Sequence, residues 1–196
     1  MTFEPSTTTA AVTAAAYVGL LAGHWIGDYP AQRDADAIGK AHPTHELLAA
    51  GTPWHHGWSH LARHVASYLA CQATALALIA LVAPLTWPGV WTALLISGST
   101  HAVIDRRWLV AAIVRLKRAG HWPEAPAYID QALHHGALLL AAVGAARVTT
   151  MTDAGYPTLV GAALIVWAMV WERHNARIAI ASRPAVTAPV RTVRFR

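Results

Sequence analysis

Five apolar stretches divide the chain, roughly Ala10–Ile26, Leu61–Leu85, Val90–Val114, Ile129–Val148 and Leu159–Trp171. A helix needs about 20 mainly apolar residues to cross a bilayer, and these stretches approach or exceed that, the last being the shortest. Breakers separate them. Pro30 ends the first, and Pro84 with Trp87-Pro88-Gly89 parts the second from the third. Gly120 to Pro126 part the third from the fourth, and Asp153 to Pro157 precede the fifth. Between the first two lies a polar, His-rich segment, Ala31–Gly57, which reads as a loop with a short helix through His45–Ala50. From Ser182 onward Pro184, Pro189 and four arginines predict disorder. The expected architecture is all-α: an integral membrane bundle of about five transmembrane helices. One domain over residues 1–181 is followed by a disordered basic tail over 182–196.

The polar residues inside these stretches are not scattered. His24/Asp28, His60/His64, His101/Asp105 and Asp130/His134 are all spaced i, i+4. Four residues along a helix return a side chain to nearly the same face, so each pair can aim two groups at one point. Polar groups at membrane depth are costly and usually functional. Gly19, Gly23 and Gly27 form a different row, small residues every fourth position, which predicts close helix packing.

Composition supports the membrane reading. The chain is 55% hydrophobic and 13% charged, against about 25% charged in ordinary soluble domains. Several of its nine tryptophans stand near segment ends, where a bilayer interface would place them. A net charge of +5 would suggest nucleic acid in a soluble protein, but no nucleic-acid motif, Walker loop or GxSxG is present. Alternating the five spans explains the charge instead. Loop 31–57, loop 106–128 and the tail fall on one side with nearly all the Lys and Arg, and Arg63 lies at the same edge. The other side holds Arg147 alone. The positive-inside rule then puts the N-terminus outside and the C-terminus in the cytoplasm of a multi-pass inner (plasma) membrane protein. Anionic lipid head groups are a second expected contact of the basic side. Glu4 and a Thr run replace the basic start of a signal peptide, so the first stretch is expected to stay as a span. Cys71 stands alone, which excludes an intrachain disulfide and a multi-Cys zinc site.

In that topology all four pairs fall near the cytoplasmic leaflet. Imidazole and carboxylate together suit zinc, manganese or iron, and the lack of thiolate argues against a soft-metal site. Eight groups exceed the ligands of one ion and suit two, with some left to support the ligands or act as general base. Gln32 and Gln131 flank the pairs as supporting hydrogen-bond donors. Two further readings stand beside metal binding. The pairs could hydrogen-bond helix to helix without an ion, or opposed histidines could ligate a b-type haem, since no CxxCH is present. His55, His56 and His135 are expected to be solvated or interfacial. His42, His45, His121, Asp34, Asp36 and Glu46 are expected in solvated loops, His174 at the basic boundary, and Arg106 and Arg107 at lipid head groups, with contact to a substrate phosphate as the alternative.

On these residues the chain resembles a family of small bacterial and phage multi-spanning membrane proteins, known as domain of unknown function 3307. The matching stretches are His24-Trp-Ile-Gly-Asp28-Tyr-Pro-Ala-Gln32, His60-Leu-Ala-Arg-His64, His101-Ala-Val-Ile-Asp105 and Asp130-Gln131-Ala-Leu-His134. The family's pattern resembles HxxxDFxxQ, HxxxH, HxxxDxxK and DQxxH, and the likeness covers about Leu20 to Leu140. Tyr29 stands where the family has Phe, and Arg106-Arg107-Trp108 where it places a Lys. The resemblance implies a multi-spanning membrane protein. A looser likeness is to membrane-bound metal-dependent hydrolases. The leading expectation is a divalent-metal site that hydrolyses a lipid or phosphorylated substrate. The alternatives are a non-enzymatic structural or regulatory membrane protein, or a transporter of metal or small molecules.

Overall fold

The computed structural model describes residues 7–182, and among them there is helix but no strand. The helices are α1 (Thr7–Asp28), α2 (Asp34–Gly39), α3 (His45–Ala49), α4 (Trp58–Ile79), α5 (Trp87–Asp105), α6 (Trp108–Leu116), α7 (Ala125–Arg147) and α8 (Met151–Ala181). A short 3-10 turn, Ala119–His121, precedes α7. The tail expected from residue 182 lies, apart from Ser182, outside the described residues.

Local chemistry sets the boundaries. α1 stops two residues before Pro30, which cannot continue a helix and disfavours helical backbone just ahead of it. Thr86 caps α5 by accepting a hydrogen bond from the Gly89 amide at 3.1 Å, with Pro88 in the first turn where no amide is required. Thr150 caps α8 in the same way through the Asp153 amide. That cap overturns one expectation. Asp153 to Pro157 do not break the chain but form the first turns of α8, which continues to Ala181. A second correction concerns the third stretch. It divides at Arg107, whose backbone is left-handed (φ 65°), so that α5 ends at Asp105 and α6 begins anew at Trp108.

Helices α1, α4, α5 and α7 close a ring in the order α1–α4–α5–α7, and α8 packs outside it on α5. The connections alternate end to end. At one end the α4–α5 and α7–α8 turns meet, where the Thr86 hydroxyl donates to the Val148 carbonyl at 2.9 Å. At the other end lie α2, α3 and all four polar pairs. The ring's core is built from small and aliphatic residues: Ala16, Leu20, Leu76, Ala93, Leu138, Ala141, Ala142 and Ala145. The glycine row on α1 faces α4, as its spacing predicts. A Cβ on Gly23 would stand 2.7 Å from Gln72 Cα, and one on Gly27 2.9 Å from the Tyr68 ring. Thus α1 and α4 approach backbone to backbone.

Helices α1 and α8 are long and apolar enough to cross a membrane by length and composition. Among the described residues these are the two helices that do so; α4, α5 and α7 are 22, 19 and 23 residues long and carry buried polar groups, among them His64, Gln72, Thr92, Ser97, His101, Asp105 and His134. Most of the apolar window of α8 faces away from the bundle.

Two alanine substitutions test the packing. Gly23→Ala should lower the thermal midpoint of the purified protein, since overpacking against backbone costs about 1–3 kcal/mol. Gly136→Ala on α7 meets nothing within 4 Å and should be neutral or raise the midpoint, because alanine favours helix over glycine by up to ~1 kcal/mol. Equal tolerance at both positions would contradict the close approach of α1 and α4.

Candidate metal centre

The i, i+4 spacing turns His24 and Asp28, His101 and Asp105, and Asp130 and His134 toward the ring's interior at one end. Asp28 and Asp105 are the last residues of α1 and α5. A helix carries partial negative charge at its C-terminus, so two carboxylates sit where the backbone already disfavours anions. The site therefore demands cations.

Four ligand atoms crowd one point. His64 Nε2 lies 2.8 Å from His101 Nε2 and 3.1 Å from both Asp28 Oδ1 and Asp105 Oδ2. His101 Nε2 lies 3.3 Å and 3.0 Å from the same two oxygens. Ligands of a tetrahedral zinc ion at ~2.0–2.2 Å stand about 3.3–3.6 Å from one another, so opening this set by about half an ångström would admit an ion. The other oxygen of Asp105 faces a second locus, with His134 Nε2 at 3.9 Å and Asp130 Oδ2 3.6 Å beyond it. Asp105 thus stands between two candidate loci, as a bridging carboxylate would. His24 joins His101 and His134 to form a third face of the cluster. Its Nδ1 and the Nε2 of His134 are buried and make no hydrogen bond. A cation coordinated by these lone pairs would satisfy both.

The groups around the cluster orient it. In the amide orientation that satisfies its neighbours, Gln32 accepts from His64 Nδ1 at 2.9 Å, leaving His64 Nε2 free to face the carboxylates. Gln131 pairs with His24 Nε2 at 3.2 Å and donates to Asp130 at 3.4 Å. Both glutamines thus lie where the sequence places them, against the candidate ligands. The Tyr68 ring stacks on His101 with centroids 3.7 Å apart. The Tyr68 hydroxyl is in turn held by Ser97 and Gln72.

One expected ligand is elsewhere. His60 turns out of the ring, and its Nδ1 meets Asp36 Oδ1 at 2.8 Å. Asp36 is buried, not solvated as the sequence suggests. Hydrogen bonds from Arg63 hold its carboxyl below the usual carboxylate range, with His60 acting in the same direction against the opposing effect of desolvation. The pair His60/His64 therefore splits, with His64 facing in and His60 fastening α2 to α4.

Two features escaped the sequence. Lys40, just after α2, is buried with its ammonium 2.8 Å from Asp105 Oδ2, and nothing in its local sequence marks it. Arg106 is not at a head group but fully buried, bonded to both oxygens of Glu172 on α8 at 2.7 Å and 3.0 Å. It also donates to the carbonyls of Lys40 and His56. Trp58 donates to Glu172 at 2.8 Å, and His42 Nδ1 stands 3.4 Å from the same carboxylate. An acid directly after the apolar fifth stretch was the available signal. The network holds the Lys40 backbone beside Asp105. It also explains Gly57: its φ of 88° is left-handed, and a Cβ there would stand 2.8 Å from Arg106 Nη1.

A cleft of about 670 Å³ opens onto the cluster. Asp28, Asp105 and Asp130 are at its floor, while α6 and the start of α7 form a wall. Asp130 is thus reachable from outside, while the ligand atoms around His64 and His101 stay buried.

Glu172→Gln should destabilise the protein by about 3–5 kcal/mol, because it leaves the buried Arg106 unpaired. Replacing both by Met should recover much of that loss in thermal midpoint. A double variant less stable than the single one would show that hydrogen bonding to the loop carbonyls, and not charge pairing, dominates. No family model, curated protein or solved structure matches the chain.

Proposed function

We propose that the protein is a five-span integral membrane protein that binds one or two divalent metal ions at the cytoplasmic end of its bundle and uses them to hydrolyse a phosphorylated substrate. The observation that carries this reading is the convergence of seven His and Asp side chains from four helices into three overlapping clusters at one end of the bundle. Asp28, His64, His101 and Asp105 would hold one ion. Asp105, Asp130 and His134, with His24 beside them, would hold a second. Zinc, manganese or iron fits this nitrogen and oxygen donor set.

Divalent ions supply charge to polarise a phosphoryl oxygen and lower the pKa of water. The chain's own groups supply the rest. Asp130 is the most open carboxylate of the cluster, its side chain 26% exposed, and it lines the cleft. It is placed to take the proton from an entering water as the water oxygen bonds to phosphorus. The bond from phosphorus to the leaving oxygen then breaks, and that oxygen takes the proton that Asp130 accepted from the water. Gln32 and Gln131 keep the imidazoles in the tautomers that face the cluster.

The rival reading treats the pairs as struts between helices, and Lys40 favours it, since its ammonium already neutralises part of the Asp105 charge. Metal content separates the two. Purified wild type should hold stoichiometric zinc, manganese or iron, and Asp105→Asn and His134→Ala should each lose it while still accumulating in the membrane. Metal affinity should fall below about pH 6, because protonated imidazole cannot ligate. A metal-free, chelator-resistant wild type indifferent to both changes would leave the struts as the account.

Orientation rests on charge. The polar end of the bundle carries Lys40, Arg63, Arg106, Arg107 and Arg115, whereas the opposite end carries Arg147. A reporter fused after Arg196 should read as cytoplasmic, and a cysteine at the exposed Thr152 should be labelled by an impermeant reagent from outside. Labelling at Thr152 from the cytoplasm alone would reverse the topology.

A further inference from the structure

The cleft beside the cluster has two chemically different walls. Its floor is the carboxylate end of the candidate metal site. Its side is apolar, made by Val110, Ala111 and Val114 of α6 with Pro126 and Ala127 of α7. Two cations, Arg107 and Arg115, line the same space. Neither forms an ion pair among the described residues: Arg107 bonds only the carbonyl of Ala37 at 3.1 Å. Lys40, between them and Asp105, is a third cation. Three positive groups thus converge above an acidic floor.

On its own, a floor of three carboxylates would repel an anion. Bound divalent ions reverse its sign, so this inference rests on the metal reading above. With the floor positive and Arg107 and Arg115 in no ion pair among the described residues, the polar end of the cleft suits a phosphate, which guanidinium groups grip with paired hydrogen bonds. The apolar side suits hydrocarbon. Helix α6 continues that side outward to the exposed Leu116, flanked by Arg115, Lys117 and Arg118. A short apolar helix edged with basic residues lies naturally at a membrane surface. We infer that the cleft binds a phosphate carried on an apolar chain, a phosphorylated lipid, with the phosphate between the metal site and Arg107/Arg115 and the chain along α6.

The test uses full-length, metal-loaded protein in neutral glycoside detergent, with hexyl phosphate and inorganic phosphate as probes measured by titration calorimetry. Metal content is measured on the same samples. Hexyl phosphate should bind at least about tenfold tighter than inorganic phosphate, given the usual gain per buried methylene. Arg115→Gln and Arg107→Gln should each weaken both probes about tenfold, as loss of a charge-assisted hydrogen bond does, with metal content unchanged. Val114→Ser should weaken hexyl phosphate alone. If the protein holds metal but binds neither probe, or binds both equally, this inference fails and the metal reading stands. If the protein holds no metal, both fail together.

Discussion

Asp105 is the group around which the rest of the bundle is arranged. It ends α5, where the helix dipole opposes a negative charge, and it is buried among other helices. Everything near it answers that cost. His64 and His101 approach one oxygen, Lys40 reaches it from the loop, and His134 faces the other. The Arg106–Glu172 pair holds the chain immediately after it and the carbonyl of Lys40 before it. Removing Asp105 would therefore disturb two layers at once, the cluster and the loop that covers it.

Polarity in this bundle runs outward from wet to dry. His24, Gln72 and Glu172 are fully buried, while Val82, Leu159 and Val170 are 83%, 71% and 61% exposed. In water the reverse arrangement is favoured, because apolar surface is driven inward and buried polar groups must find partners. A hydrocarbon surround removes the penalty on the outer valines and leucines. It also makes the inner polar groups depend on one another. This distribution agrees with the apolar, outward-facing length of α8.

The helices and most of the cluster were legible in the sequence because both depend on short-range periodicity. Spacing i, i+4 on one apolar stretch fixes a shared face, and a glycine every fourth residue fixes a contact. What was not legible depends on distant partners. His60 and His64 have the same local pattern, and only Asp36, brought over from α2, separates their roles. Arg106 reads as an interfacial arginine until Glu172, far along the chain, is placed against it. Lys40 has no pattern at all, and a connecting loop of ordinary composition delivers it to Asp105. Polar residues interrupt the third stretch in the sequence, but that they end one helix and start another depends on the left-handed backbone at Arg107.

That division matters for chemistry as well as for topology. Had α5 run on as one helix through Val114, its next turns would have continued along the axis beyond the cluster. The turn at Arg106–Arg107 instead packs α6 on α7. One backbone reversal therefore sends Arg106 inward to Glu172 and Arg107 outward to the cleft. The two adjacent arginines acquire opposite tasks, one holding the scaffold and the other facing whatever enters. The wall of the cleft and the end of the cluster-bearing helix are parts of the same turn. A change in the backbone at Arg107 would thus move the apolar wall relative to Asp105.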